Sequence, residues 1–461
     1  MLHPDRLFPP DPATRRIARD LHAAVESLPL VCPHGHTDPR WWGEDPAFAD
    51  AADLFVIPDH YVVRMLVSRG VPFAALGIGP DAETDRRAVW RTFARHYDLF
   101  RGTPSRMWID HALQEVFGIA ERPSEGNADR LFDAIGAALR DPAFRPRALH
   151  DRFRIEVIAT TDDATSDLAH HAVARASGWG ARVIPTYRPD ACVDPERAGF
   201  AAEVARLGEM AGTETATWRG YLDAHRARRG AFKAMGATAT DHGHPTAATL
   251  DLPEAEAAAL YDRVRADPTP AEAEAFRAQM LTEFARMSLE DGLVMQLHAG
   301  SCRDHHHGLH AAMGRDRGFD IPTRTDFVRG LRPLLNAVGM DPRLTLILFT
   351  LDETAYAREL APLAGAYPCL RLGPPWWFHD SPEGMRRFRE QATETAGFEN
   401  TAGFNDDTRA LCSIPARHDV ARRVDSAMLA ELVVTHRLDE AEAHALAPRL
   451  AGDLAREAYR L

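Results

Sequence analysis

Eight short apolar segments recur along the chain, and most of them run into polar residues. They are Leu30–His34, Ile155–Thr161, Ala181–Tyr187, Ala234–Thr240, Gly292–Leu297, Leu344–Thr350, Cys369–Gly373 and Ala402–Phe404. Between most of them lie amphipathic stretches of helical period, rich in Ala, Arg and Glu, such as Glu254–Arg265, Pro270–Leu289 and Ser381–Glu390. Near-continuous apolar runs mark strands buried on both faces, and their alternation with helices predicts a parallel sheet covered by helices. Eight such strands predict an α/β fold, a distorted (β/α)8 barrel of TIM type, with chemistry at the C-terminal ends of the strands.

One interval breaks the rhythm. From about Pro39 to Arg154 the pattern is mostly helical, over Ala47–Phe55, Asp59–Ser68, Arg86–Arg95, Trp108–Phe117 and Ala128–Leu139. A simple connection between strand and helix takes only about 2–6 residues. The chain therefore divides into 1–38 (N-terminal segment and strand 1), 39–154 (a helical insertion near the barrel mouth) and 155–461 (the remaining barrel and C-terminal helices). No internal repeat, low-complexity tract or long linker interrupts it.

Composition narrows the function. The 461 residues are 45% hydrophobic and 26% charged. No stretch approaches the ~18–20 apolar residues that span a bilayer, and the N-terminus opens on no signal-peptide core. A net charge of −13 without a basic, aromatic-laced patch excludes nucleic acid as a partner. The five cysteines, Cys32, Cys192, Cys302, Cys369 and Cys412, are odd in number and scattered. That argues against a disulfide framework or a thiolate zinc site and for the reducing cytoplasm. Lys233 is the only lysine. A Schiff base, a P-loop or a carboxylated bridging lysine would have to use it, because arginine does not deprotonate.

The strand ends carry the candidate chemistry. His34-Gly35-His36 places two imidazoles two residues apart, so on an extended chain both face one way and can share a metal ion. The last strand end reads Asn405-Asp406-Asp407-Thr408-Arg409 and lies beside strand 1 in a closed barrel. Asp407 can complete a mononuclear set with His34 and His36, or the two aspartates can be turn and cap residues. His298, closing strand 5, reads as a further ligand, a substrate contact or a bonded core histidine. Asp241-His242-Gly243-His244 repeats the polar-end pattern, with His242 a further ligand candidate. The run His305-His306-His307 points in several directions, which suits a solvated or substrate-facing loop rather than a preformed site. Arg188, Arg303 and Arg409 converge on the same face, where guanidinium forks suit a substrate carboxylate. Trp376 and Trp377 can stack on a sugar face.

These residues, in this order, resemble the uronate isomerases of the amidohydrolase superfamily, over nearly the whole chain. The resemblance runs through Asp59-His60-Tyr61-x-x-Arg64 with Gly70-Val71, Thr161-Asp162-Asp163, Arg188-Pro189-Asp190 and Thr240-Asp241-His242-Gly243. It continues through Val294-Met295-Gln296-Leu297-His298-x-Gly300, Gly314-x-Asp316-x-Gly318-Phe319-Asp320, Trp376-Trp377-Phe378-x-Asp380 and Asp407-Thr408-Arg409. There are departures. Cys32-Pro33 stand where an aromatic residue and an aspartate usually precede the first histidine. Val62 replaces a lysine, Asp304-His305-His306-His307 replaces an asparagine-rich stretch, and Thr408 replaces a serine.

The resemblance implies a barrel of the metal-dependent hydrolase type and an aldose–ketose isomerase of carbohydrate catabolism. It would interconvert glucuronate or galacturonate with fructuronate or tagaturonate through a cis-enediol. Asp407 would transfer the proton and ligate the metal, Tyr61 would donate to the developing oxyanion, and Arg409 would position the substrate. His60, Arg64, Arg188, Arg303, His298, Trp376 and Trp377 would line the substrate site. His34, His36 and Asp407 would hold one divalent ion, with Zn2+ the expected metal. A mononuclear hydrolase on the same barrel is the rival. Lys233 lies before strand 4, which disfavours a lysine-bridged binuclear version. The substrate partner is a small sugar acid; homo-oligomerisation is left open.

Overall fold

Among residues 2–461, which the computed structural model describes, seven of the eight expected strands form one parallel sheet. The strands are β1 (Leu30–Cys32), β2 (Ile155–Asp163), β3 (Val183–Arg188), β4 (Ala239–His242), β5 (Val294–Ala299), β8 (Leu346–Thr350) and β9 (Leu370–Leu372), in the spatial order β1-β2-β3-β4-β5-β8-β9. β6 (Ser301–Cys302) and β7 (Ile321–Pro322) form a small antiparallel ladder at the end of β5. Every residue of β4, β5 and β8 is buried, as expected of strands covered by helices on one side and by the barrel interior on the other.

Strand 4 begins later than the apolar pattern suggests. The helix Trp218–Ala234 takes the first residue of that segment and Met235 caps it, Gly236 turns the chain at φ +102°, and pairing starts at Ala239. A glycine just past a helix end adopts this left-handed conformation without a Cβ penalty. The shift draws Asp241 and His242 into the strand. Period-two alternation then sends Asp241 toward the cavity and His242 outward, where its ring packs on Phe284 of the helix Pro270–Asp291.

The eighth expected strand, Ala402–Phe404, does not form. Thr401 makes one parallel bridge to Leu372, and the Ala402 N–H donates to the Leu372 carbonyl at 2.8 Å. Gly403 then takes φ +72°, and a Cβ there would stand 2.8 Å from the Ala455 nitrogen. The helix Leu454–Tyr459 presses on this backbone and prevents an extended ladder. The barrel closes instead through the His36 N–H, which donates to the Thr408 carbonyl at 3.0 Å.

Between β1 and β2 the described elements are helices, among them Ala51–Phe55, His60–Val67, Arg86–Arg95, Pro104–His111, Ala128–Leu139 and Pro146–Arg152. The expected helix Trp108–Phe117 is the end of Pro104–His111 running into a wide turn at Ala112–Val116. Their apolar faces (Leu66, Trp90, Phe93, Phe100, Leu131) share one core with Leu30, Cys32 and Ile158 of β1 and β2. Each such fully buried large side chain contributes roughly 1.5–3 kcal/mol. That core anchors the helix His60–Val67 to the barrel. Among the described residues no helix is long and apolar enough to cross a membrane.

Candidate active site

The mouth of the barrel holds a cavity of about 360 Å³, within the ~300–1,000 Å³ typical of small-molecule sites. At its floor, Asp407 Oδ1 lies 3.4 Å from His34 Nε2 and 3.1 Å from His36 Nε2. Asp407 reaches this place through a left-handed backbone, φ +38°. The oxygen is buried and makes no hydrogen bond of good geometry among the described residues, although two imidazoles face it. The three ligand atoms lie within 4.8 Å of one another, so two nitrogens and one carboxylate oxygen are positioned to hold a divalent ion. Burial alone would raise the Asp407 carboxyl; attraction to His34 and His36 outweighs it and holds the group ionised, well below the usual carboxylate range.

The middle strands supply a charged wall. Asp241, fully buried at the end of β4, takes Arg188 Nη1 on one oxygen at 3.0 Å and His298 Nδ1 on the other at 2.6 Å. Burial would favour the neutral acid, but Arg188 and His298 hold Asp241 well below its ordinary value. Arg188 also donates from Nε to Asp190 at 2.8 Å. The bond to Asp241 fixes the tautomer of His298. Its Nε2 is buried, finds no partner among the described residues and belongs to a ring that lines the cavity. That ring stacks on His34, with centroids 4.7 Å apart, and on Phe349 at 4.0 Å.

The inserted helix His60–Val67 brings the third wall. Asp59 caps it, accepting from the Tyr61 N–H at 2.8 Å and the Val62 N–H at 3.3 Å, which sets the direction of the first turn. His60 and Tyr61 stack at 4.4 Å and both line the cavity. Burial pushes the Tyr61 phenol far up, so it remains protonated. Burial also depresses His60 to about 3, which keeps it neutral. Arg417 backs Tyr61 from the helix Ile414–Val434. Its guanidinium lies 3.6 Å over the Trp108 ring, pairs with Asp380 and donates to the Asp406 carbonyl at 3.2 Å.

The remaining expected residues fall in two groups. Arg303, Trp376, Trp377 and Arg409 line the cavity; Arg303 lies 4.9 Å over the Trp377 ring, and Arg409 faces Asp316 at 3.7 Å. Arg64 is not a lining residue: its guanidinium rests 4.6 Å over Phe378, and its Cβ packs beneath Gly318. His242 lies behind the sheet, as described above. His305, His306 and His307 are exposed on the rim, with the His306 ring capping the short helix His307–Met313. Lys233 donates to the Asp291 carbonyl at the surface, outside the cavity lining. Arg417 lines the cavity without having been singled out. Asp59 and Asp241, named only within motifs and given no site role, line it too, Asp241 as the ion-pair partner of Arg188 and the hydrogen-bond partner of His298. For Asp241 and Asp59 the available signals were a polar strand end and a helix cap.

A curled parallel sheet, with a histidine pair after its first strand and an aspartate at its closure, defines an α/β enzyme of the metal-dependent hydrolase fold. A Lactobacillus casei protein described as a metal-dependent hydrolase shares that fold at a TM-score of 0.54 and 15% identity, over 95% of this chain and 97% of that one. The glucuronate isomerase family model matches residues 13–455. The uronate isomerase of Rhizobium meliloti is 61% identical, over 100% of this chain and 99% of the relative. The glucuronate isomerase of Caulobacter crescentus superposes with a TM-score of 0.98 at 58% identity, over 100% and 97% of the two chains. The chain belongs to the glucuronate isomerase family.

Proposed function

We propose that this chain interconverts an open-chain hexuronate aldose, glucuronate or galacturonate, with its 2-keto isomer, fructuronate or tagaturonate. One observation carries the proposal: in a chain of this family, an ionised Asp407, a protonated Tyr61 and the guanidinium groups of Arg188, Arg303 and Arg409 all line one cavity. Isomerisation moves one proton from C2 to C1 and needs a base, an oxyanion donor and a clamp for the remote carboxylate.

Asp407 takes the C2 proton as the carbonyl oxygen at C1 gains a hydrogen and becomes an enediol hydroxyl. It returns the proton to C1 as the C2 hydroxyl gives up its own and becomes the carbonyl, so that one hydrogen moves from C2 to C1 and one from the C2 oxygen to the C1 oxygen. Tyr61 donates a hydrogen bond to the oxygen on which charge develops. Arg409, two residues from Asp407, and Arg188 hold the substrate carboxylate and hydroxyls in planar forks. Arg303 closes the rim, and Trp376 and Trp377 give the sugar a flat apolar wall. His60 is neutral, and both its ring nitrogens are buried without a partner among the described residues, so it can bond a substrate hydroxyl. His298 Nε2 offers a second such contact. His34, His36 and Asp407 would hold one divalent ion, zinc by the type of donor, which when bound polarises hydroxyl groups and lowers their pKa. Five cysteines free of disulfides fit a cytoplasmic setting.

NMR of the metal-replete protein with a panel of uronates in deuterated water tests the reaction. The expected result is a ketose of unchanged elemental composition apart from exchanged hydrogen. A pair of cleavage products whose summed mass exceeds the substrate by one water would make the chain a hydrolase, and no turnover of any uronate would overturn the proposal. Elemental analysis of His34→Ala/His36→Ala tests the ligand set: it should hold one ion fewer per chain than wild type.

A further inference from the structure

A second ligand set lies at the barrel closure, and the isomerisation does not use it. Cys32 ends β1, Asp406 precedes Asp407, and His418 stands on the helix Ile414–Val434; they are 1%, 2% and 2% exposed. The adjacent carboxylates of Asp406 and Asp407 serve different sets: Asp407 faces His34 and His36, and Asp406 faces His418 and Cys32.

The spacing within this set is that of ligands around an ion. His418 Nε2 lies 3.7 Å from Cys32 Sγ and 3.4 Å from Asp406 Oδ2, and the three donor atoms fall within 4.8 Å of one another. An imidazole nitrogen has one hydrogen or one lone pair, yet this one faces two groups. A charge-assisted hydrogen bond would close to about 2.7–2.9 Å, as His298 and Asp241 do at 2.6 Å. Ligands about 2.0–2.3 Å from a tetrahedral zinc ion stand about 3.3–3.8 Å apart. The His34–Asp407 distance of 3.4 Å, across the other ligand set, belongs to the same class. A thiolate, a carboxylate and a neutral imidazole around a divalent cation sum to zero charge, which suits a buried site, and one water molecule would complete the tetrahedron.

We propose that Cys32, Asp406 and His418 form a buried zinc site separate from the substrate cavity. It ties β1, the irregular closing segment and the helix Ile414–Val434 together, at the point where the expected eighth strand does not form. The inference is independent of the isomerase activity, because it uses none of the residues assigned to substrate.

Cobalt reports the site selectively. The set of His34, His36 and Asp407 contains no sulfur, so a thiolate-to-cobalt charge-transfer band in the near ultraviolet can only come from a cysteine ligand. Full-length apo-protein, wild type and His34→Ala/His36→Ala, is titrated with Co2+ alone. The expected result is two ions per chain in wild type and one in the double variant, with the band present in both. Adding Cys32→Ser should abolish the band and the remaining ion. His418→Gln, checked for folding by circular dichroism, should do the same and guards against a misfolded serine variant. Absence of the band in wild type, or its survival in a folded Cys32→Ser protein, would overturn the proposal. A double variant that still holds two ions would instead remove the set of His34, His36 and Asp407.

Discussion

The sheet has a regular half and an irregular seam, and they contribute different things. In the regular half, β2 and β3 pair through six successive residues from Ile158↔Val183 to Asp163↔Arg188, and β5 pairs with β8 through five. Side chains there reach the cavity in strict alternation and arrive already bonded to one another, as Arg188, Asp241 and His298 do. The seam runs from β9 through residues 400–409 to β1. It has one bridge, at Thr401, two residues of positive φ, Gly403 and Asp407, and a closing hydrogen bond from His36 to Thr408. A non-glycine residue in the left-handed region costs roughly 1–3 kcal/mol and persists only where its surroundings impose it. At Asp407 that cost puts a carboxylate between two imidazoles. Ladder pairing makes a rigid, pre-charged wall, whereas irregular backbone is free to aim the reactive group.

The sharpest break in that comparison is Asp407→Asn. Asparagine tolerates a left-handed backbone, so the fold should survive while the base is lost. Removing a positioned proton-transfer group costs about 10²–10⁴ in rate, and the upper end is expected here because ion binding weakens as well. Steady-state kinetics at saturating substrate and metal measure it; near-normal kcat would move proton transfer to another group, with His298 the next choice. Tyr61→Phe should follow, with kcat lowered about 10²–10³-fold, the effect of losing one oxyanion donor. If only KM moved, Tyr61 would be a binding residue.

The same division explains what the sequence made legible. Apolar runs located the regular strands to within a few residues, because burial on both faces leaves a pattern that needs no partner to be seen. His34 and His36 were legible from their spacing after an apolar run, although β1 ends at Cys32 and the pair meets Asp407 from a bend beyond the strand rather than by strand alternation. The seam was harder: Ala402–Phe404 is apolar enough for a strand, and only the contact between Gly403 and Ala455, distant in sequence, shows why it is not one. Arg417 was invisible for a similar reason. The helix Ile414–Val434 interleaves arginine, aspartate and apolar residues without a clear polar face, and its burial depends on elements from elsewhere in the chain. Arg64 illustrates the converse. Its motif is intact, but the packing of Gly318 against its stem turns the guanidinium onto Phe378 and away from the cavity.

Two glycines of similar backbone test the seam directly. Gly403 at φ +72° meets the Ala455 nitrogen, whereas Gly178 at φ +74°, on an exposed turn before β3, has nothing within 4 Å of a built Cβ. Alanine at either position carries the left-handed penalty of about 1 kcal/mol. Gly403→Ala must also displace the helix Leu454–Tyr459, so its total should reach about 1–3 kcal/mol, and kcat should fall because Asp407 moves. Gly178→Ala should leave kcat unchanged. Equal losses of stability, with kcat untouched in both variants, would show that the seam is no more constrained than a surface turn.

The smallest effect belongs to the regular half and appears with pH. His225 is fully buried behind β3, its Nδ1 2.7 Å from the Tyr187 hydroxyl. Burial depresses it to about 3, from an ordinary value of 6.5. Below pH 6.5 the unfolded chain binds a proton at this residue and the folded chain does not. Stability should therefore fall as pH drops from about 6.5 toward 3, by up to ~1.4 kcal/mol per pH unit from this residue. His242, depressed by burial to about 3 behind β4, adds a parallel loss over the same window. His225→Asn keeps a polar partner for Tyr187 and removes the titration. Urea unfolding at pH 7.5 and 5.5 should then show the variant losing about 1.4 kcal/mol less than wild type between the two conditions. Neither residue is a ligand of the proposed metal sites, so the difference should persist in metal-depleted protein. Parallel losses in wild type and variant would mean that His225 is already charged when folded, and that the helix layer behind β3 admits water.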